Sequence, residues 1–206
     1  PQLFLLNKII KDGYLVGNIN LNFDKNGKIK NDYLIKGFVK NGKLNFLKKY
    51  NIENLNLLFN ITEKKYSLEE ISANLNKFQL SSASLIIEEK KDLFFIRGNI
   101  LTTEKNNHIR LLREISQNYL KNLNIENIQL NSKNNFSFNI NKKLKISNFI
   151  LKSEIDLKNL EYKNKKLNIE KYFPTFKELI EFKDHRILIN YNLNELIING
   201  EGDLLI

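Results

Sequence analysis

Between residues 15 and 61, apolar side chains stand at every second position. The pattern runs Leu15, Gly17, Ile19, Leu21, Phe23, then Tyr33, Ile35, Gly37, Val39, then Leu55, Leu57, Phe59, Ile61. Asn, Asp and Lys fill most of the gaps. Period two is the signature of a strand with one apolar and one wet face. The pattern breaks at Asp24-Lys25-Asn26-Gly27 and at Asn41-Gly42. Both are turn sequences, because Asn and Gly tolerate positive φ. Lys11-Asp12-Gly13 is read as a turn for the same reason. A β-meander is predicted.

Further alternating stretches follow: Leu68 to Leu75, Leu85-x-Ile87, a dense run over residues 93–100, then Phe136-x-Phe138-x-Ile140 and Ile155-x-Leu157. Two more close the chain, Ile187-x-Ile189-x-Tyr191 and Leu196-x-Ile198-x-Gly200-x-Gly202-x-Leu204. The period changes over residues 106–120. There Ile109, Leu112, Ile115 and Tyr119 recur at three and four, which predicts a helix. Residues 175–182 predict a second, short helix, with Phe176, Leu179, Ile180 and Phe182 apolar and Thr175 and Glu178 set as a capping box. The fold class expected is all-β: a mainly antiparallel, elongated, curved sheet or groove with one or two short helices. It reads as one segment over residues 1–206, with a soft boundary near 105–122.

Composition narrows the classes. No run of eighteen apolar residues exists to span a membrane as a helix. Without Cys there is neither a disulfide framework nor a thiolate metal site. The chain contains no Met and starts at Pro1, and its last alternation is unfinished, so a piece of a longer protein is expected. The net charge is +10, but only Arg97, Arg110, Arg113 and Arg186 are arginine. The lysines scatter over turns and wet faces. Nucleic-acid recognition favours clustered Arg, so no nucleic-acid partner is expected.

Candidate chemistry is sparse. His108 and His185 stand at no metal spacing, and Lys183-Asp184-His185-Arg186 reads as a turn. No Ser lies in a G-x-S-x-G elbow and no Gly-rich phosphate loop is present. The expectation is a non-enzyme with no cofactor and no metal. The dominant feature is instead a one-sided apolar surface: Leu15, Ile19, Leu21, Phe23, Ile35, Val39, Leu55, Leu57, Phe59, Ile61, Ile71 and Leu75. Two readings fit it. In one, the face packs on a second sheet and closes a β-sandwich, giving a structural spacer without a ligand. In the other, the sheet curls around its own face and holds acyl chains.

Several segments share a cadence with the AsmA-like proteins of Gram-negative envelopes, including the YhdP-type members. They are Leu15-Val16-Gly17-Asn18-Ile19-Asn20-Leu21, residues 32–44, Phe95-Ile96-Arg97-Gly98-Asn99-Ile100 and Ile197-Ile198-Asn199-Gly200-Glu201-Gly202. The chain resembles that family in style across most of its length, without a catalytic or ligand motif. The resemblance implies a periplasmic protein anchored in the inner membrane by a part not included here. It also implies a hydrophobic β-groove that carries phospholipid toward the outer membrane. The partners implied are phospholipid acyl chains and the remainder of the same chain.

Overall fold

The computed structural model of the protein describes residues 10–46, 50–75, 78–103, 125–163 and 179–205. These residues form ten strands: β1 (Ile10–Asn20), β2 (Leu34–Phe46), β3 (Tyr50–Ile61), β4 (Lys65–Leu75), β5 (Phe78–Lys90), β6 (Leu93–Thr102), β7 (Ile125–Asn141), β8 (Ile146–Lys163), β9 (Leu179–Asn192) and β10 (Glu195–Leu205). All pair antiparallel with their sequence neighbours in one sheet ordered β1 to β10. The all-β reading is therefore correct. No second sheet lies against this one among the described residues, so they form no sandwich. Nor do β1 and β10 pair, so the sheet stays open.

The expected helix over 106–120 lies outside the described residues, as do residues 175–178 of the shorter one. Residues from Leu179 onward correct that second expectation. Ile180 pairs with Tyr162 and Phe182 with Leu160, inside β9. Pairing to β8 overrides the local helical spacing.

Three sequences read as turns are bulges inside strands. Lys11, Asp12 and Gly13 belong to β1, Asn41 and Gly42 to β2, and residues 183–186 to β9. Register shifts mark the bulges near Asp12 and Gly42. Positive φ occurs within strands at Asn41 (53°), Asn54 (52°), Glu70 (50°), Asn148 (51°) and Asp184 (48°). Four of these five are Asn or Asp, which visit the left-handed region at least cost. The chemistry that favours a turn thus also favours a bulge.

Each bulge inserts a three-residue step into the two-residue alternation. In β2 the apolar row runs Ile35, Gly37, Val39, then Gly42 and Leu44. In β3 it runs Ile61, Phe59, Leu57, Leu55, then Ile52. A Cβ built on Gly42 would sit 3.1 Å from Val39 Cγ1 and 3.3 Å from Leu55 Cβ, so the row keeps its face across the step. A bulge also bends its strand. The bulges in β1 to β4 are neighbours, as the pairs Tyr14–Lys40, Gly42–Leu55 and Asn56–Ser72 show. Aligned bulges bend the sheet along a line.

Asn56 holds this line together. Its Oδ1 accepts from the Asn41 N–H at 3.1 Å, and its Nδ2 donates to Asn54 O at 2.9 Å and Ser72 Oγ at 3.3 Å. One side chain thereby ties together three strands at the bulges. Asn56→Ala is expected to lower the unfolding free energy by about 1–2 kcal/mol in a urea titration.

Candidate functional site

Cross-strand partners share a face, so the register shows which side chains lie together. Leu15 faces Val39, and Ile19 faces Ile35. Val39 faces Leu57, Gly37 faces Phe59, and Ile35 faces Ile61. Phe59 then meets Leu68, which meets Leu85, and Ile61 leads through Tyr66 to Ile87 and Ile96. The row continues through Phe138 in β7. It reaches Leu151, Tyr191 and Leu196 by way of Phe136. One apolar face therefore crosses all ten strands. At about 4.8 Å between strands it is ~43 Å wide.

Ten of the twelve residues singled out from the sequence stand in strands. Leu15, Ile19, Ile35, Val39, Leu55, Leu57, Phe59 and Ile61 form one continuous patch of the face. Ile71 pairs with Ser82, and Leu75 with Phe78, beyond the bulge in β4. Leu21 and Phe23 fall after the end of β1, in the connection to β2. There Phe23 bridges to Ile29.

Three parts of the face lie beyond the twelve residues singled out from the sequence. The first is an aromatic row over β7, β8 and β9. Ring centroids lie 6.1 Å apart for Phe136–Phe138, 6.2 Å for Phe138–Phe149 and 5.8 Å for Phe149–Tyr191. The second is a buried cluster of Ile125, Ile128 and Leu157, with Leu160, Phe182 and Ile187 packed against it. The third is polar and lies between them. Ser153, buried, donates to Asn134 Oδ1 at 2.5 Å, and Asn134 Nδ2 donates to Ser132 Oγ at 2.7 Å and Ile100 O at 3.2 Å. These groups satisfy one another, which lets them sit within an apolar face. A run such as Asn131-Ser132-Lys133-Asn134-Asn135 carries no hint of that.

His185 stands in the β9 bulge. Its ring meets the Phe182 ring edge-on at 5.6 Å, and its Nδ1 lies 2.9 Å from Lys183 O. Asp184 turns to Lys158, 3.6 Å away. The adjacent Asp and His therefore serve different neighbours. Among the described residues, no three His, Asp or Glu are grouped to hold a metal ion.

What decides the character of the site is exposure. Among the described residues only Ile125, Ile128 and Leu157 are buried hydrophobics, and no large side chain is fully buried. Leu57, Phe59, Ile61, Leu85, Ile96 and Phe138 are half-buried. Leu15 is 67% exposed, Ile19 61% and Ile198 59%. The apolar face remains open to solvent. No family model, curated protein or solved structure matches the chain. Its function must be argued from this face and its surroundings.

The opposite face is largely polar. Glu88 pairs there with Arg97 at 3.5 Å and with Lys90 at 3.9 Å. At one border Asp92 and Lys142 meet at 2.9 Å. That contact holds the Asp92 carboxyl below the usual carboxylate range and the Lys142 amine above its ordinary value.

Proposed function

We propose that the sheet is a stretch of a hydrophobic groove that carries phospholipid acyl chains in a periplasmic, AsmA-like envelope protein. One observation carries this reading: an apolar face continuous over ten strands, with no second sheet against it among the described residues. Soluble monomers rarely leave an apolar patch of this extent open without a use for it. An acyl chain is the ligand such a face suits. It needs no hydrogen bonds, and each methylene it buries contributes about 0.8 kcal/mol. Bulges bend strands, and a bend toward the apolar face would let it wrap an acyl chain. The same observation favours the groove over a closed-sandwich spacer, which needs a second sheet against this face.

A chain-length series tests the proposal. Affinity for single-chain fluorescent lipids is expected to rise about fourfold per added methylene. A flat series, or no binding at any length, would overturn it.

A further inference from the structure

The meander places the connections β1–β2, β3–β4, β5–β6, β7–β8 and β9–β10 on one border of the sheet, and all five are described. Several of them carry an exposed apolar side chain. Leu144, in the β7–β8 turn, is 76% exposed, and Leu193, in the β9–β10 turn, is 65% exposed. Phe23 and Ile29 are bridge partners in the β1–β2 connection, 56% and 55% exposed. Lysines flank two of these tips: Lys25, Lys28 and Lys30 in the first, and Lys142, Lys143 and Lys145 in the fourth.

Those two turns share one construction. In Asp24-Lys25-Asn26-Gly27-Lys28, Asp24 Oδ1 accepts from the N–H groups of Asn26 (2.8 Å) and Lys28 (2.9 Å), and Gly27 N–H donates to Asp24 O at 3.1 Å. In Asn141-Lys142-Lys143-Leu144-Lys145, Asn141 Oδ1 accepts from Lys143 (2.9 Å) and Lys145 (3.0 Å), and Leu144 N–H donates to Asn141 O at 2.8 Å. The fourth position has positive φ in both: 77° at Gly27 and 59° at Leu144. Glycine suits that conformation, and leucine is strained in it. The chain therefore holds a large apolar side chain, 76% exposed and in a strained backbone state, on a lysine-flanked tip. A side chain this exposed adds little to folding. Strain retained at an exposed position points to use.

The geometry points to this hairpin border as a docking edge for an anionic phospholipid bilayer. Leu144, Leu193, Phe23 and Ile29 would enter the headgroup layer, and Lys25, Lys28, Lys30, Lys143 and Lys145 would meet lipid phosphates, while Lys142 stays paired with Asp92. Both halves of the pattern are needed, since apolar tips bury in the interface while lysines are drawn to its negative potential. The two lysine-flanked tips are six strands apart, about 29 Å, so they engage one surface at two points and gain avidity. A nucleic-acid duplex would match the lysines but leave the apolar tips unused. The inference does not rest on the lipid-groove reading.

The test is sedimentation of the chain with phosphatidylcholine vesicles, with and without phosphatidylglycerol, at rising salt. Binding is expected only with the anionic lipid and should fall with salt. Lys143→Gln with Lys145→Gln should weaken it roughly 10–30-fold. Leu144→Gly should weaken it about tenfold, with Tm unchanged or raised because glycine relieves the strain. Leu144→Asn, which also tolerates positive φ, is expected to repeat that loss. Because the chain has no Trp, Leu144→Trp supplies a single tryptophan, excited beyond tyrosine absorption, whose emission should shift blue on anionic vesicles. Equal binding to neutral vesicles, undiminished binding by folded Leu144→Gly and Leu144→Asn, or an unshifted Trp would each overturn the docking edge. So would binding to duplex DNA but not to vesicles. Acyl-chain uptake without vesicle binding removes the edge and leaves the groove. Vesicle binding without uptake does the reverse.

Discussion

Leu57→Asp is expected to weaken acyl-chain binding at least ~100-fold, while Leu58→Asp leaves it within about threefold. The two positions are adjacent in β3 but face opposite ways. Leu57 pairs with Val39 in the apolar row. Leu58 pairs with Phe38 and Glu69 on the other face, where it is 41% exposed. A carboxylate at position 57 would have to lose its water when a lipid tail covers it. An uncompensated buried charge costs several kcal/mol, and ~2.7 kcal/mol already corresponds to 100-fold. At position 58 the carboxylate stays in water. Fluorescent-lipid titration of both variants, with circular dichroism to verify folding, reads the difference. Equal losses would mean that the effect is not specific to the face.

Gly37→Ala is expected to destabilise the protein by at least ~3 kcal/mol, whereas Gly17→Ala should cost about 1 kcal/mol or less. The two glycines are partners across β1 and β2. A Cβ on Gly37 would collide with the Val16 carbonyl oxygen, lie 2.7 Å from Gly17 Cα and 2.6 Å from Phe59 Cζ. Two of those three neighbours are backbone and cannot step aside without breaking the ladder. A Cβ on Gly17 meets nothing closer than 3.4 Å, an ordinary contact. For a chain of this size, 3 kcal/mol is a fall in Tm of roughly 6–12 °C. Adding Phe59→Ala to Gly37→Ala should not restore stability, because the backbone collision remains. Thermal unfolding followed by circular dichroism measures all three. The pair also explains how Phe59 lies within the face: its ring passes over two positions that have no side chain.

Much of this architecture was legible in the alternation. Leu15, Ile19, Ile35, Val39, Leu57, Phe59 and Ile61 share a face because period two places them there. What alternation cannot express is a bulge. Asn41-Gly42 carries the residues of a tight turn and makes a left-handed step inside β2. The same ambiguity turned residues 11–13 and 183–186 into expected turns. The second half of the face was harder to see because Ser132, Asn134 and Ser153 interrupt it. They pair with one another, with Ile100 O and with Thr102 Oγ1, and such pairing depends on register, not on local sequence. Alternation also shows that one face is apolar without showing what covers it. Deciding between a sandwich and an open sheet required the strand order. Nothing in the sequence around Leu144 sets it apart from other apolar positions. The strain that marks the residue is visible only in its backbone.

Native mass spectrometry of the purified chain, with lipid extraction of the same sample, tests the open-groove account most directly. The account predicts phospholipid co-purifying with the folded protein and released by Leu57→Asp but not by Leu58→Asp. A folded, lipid-free protein that also takes up no fluorescent acyl chain would contradict it.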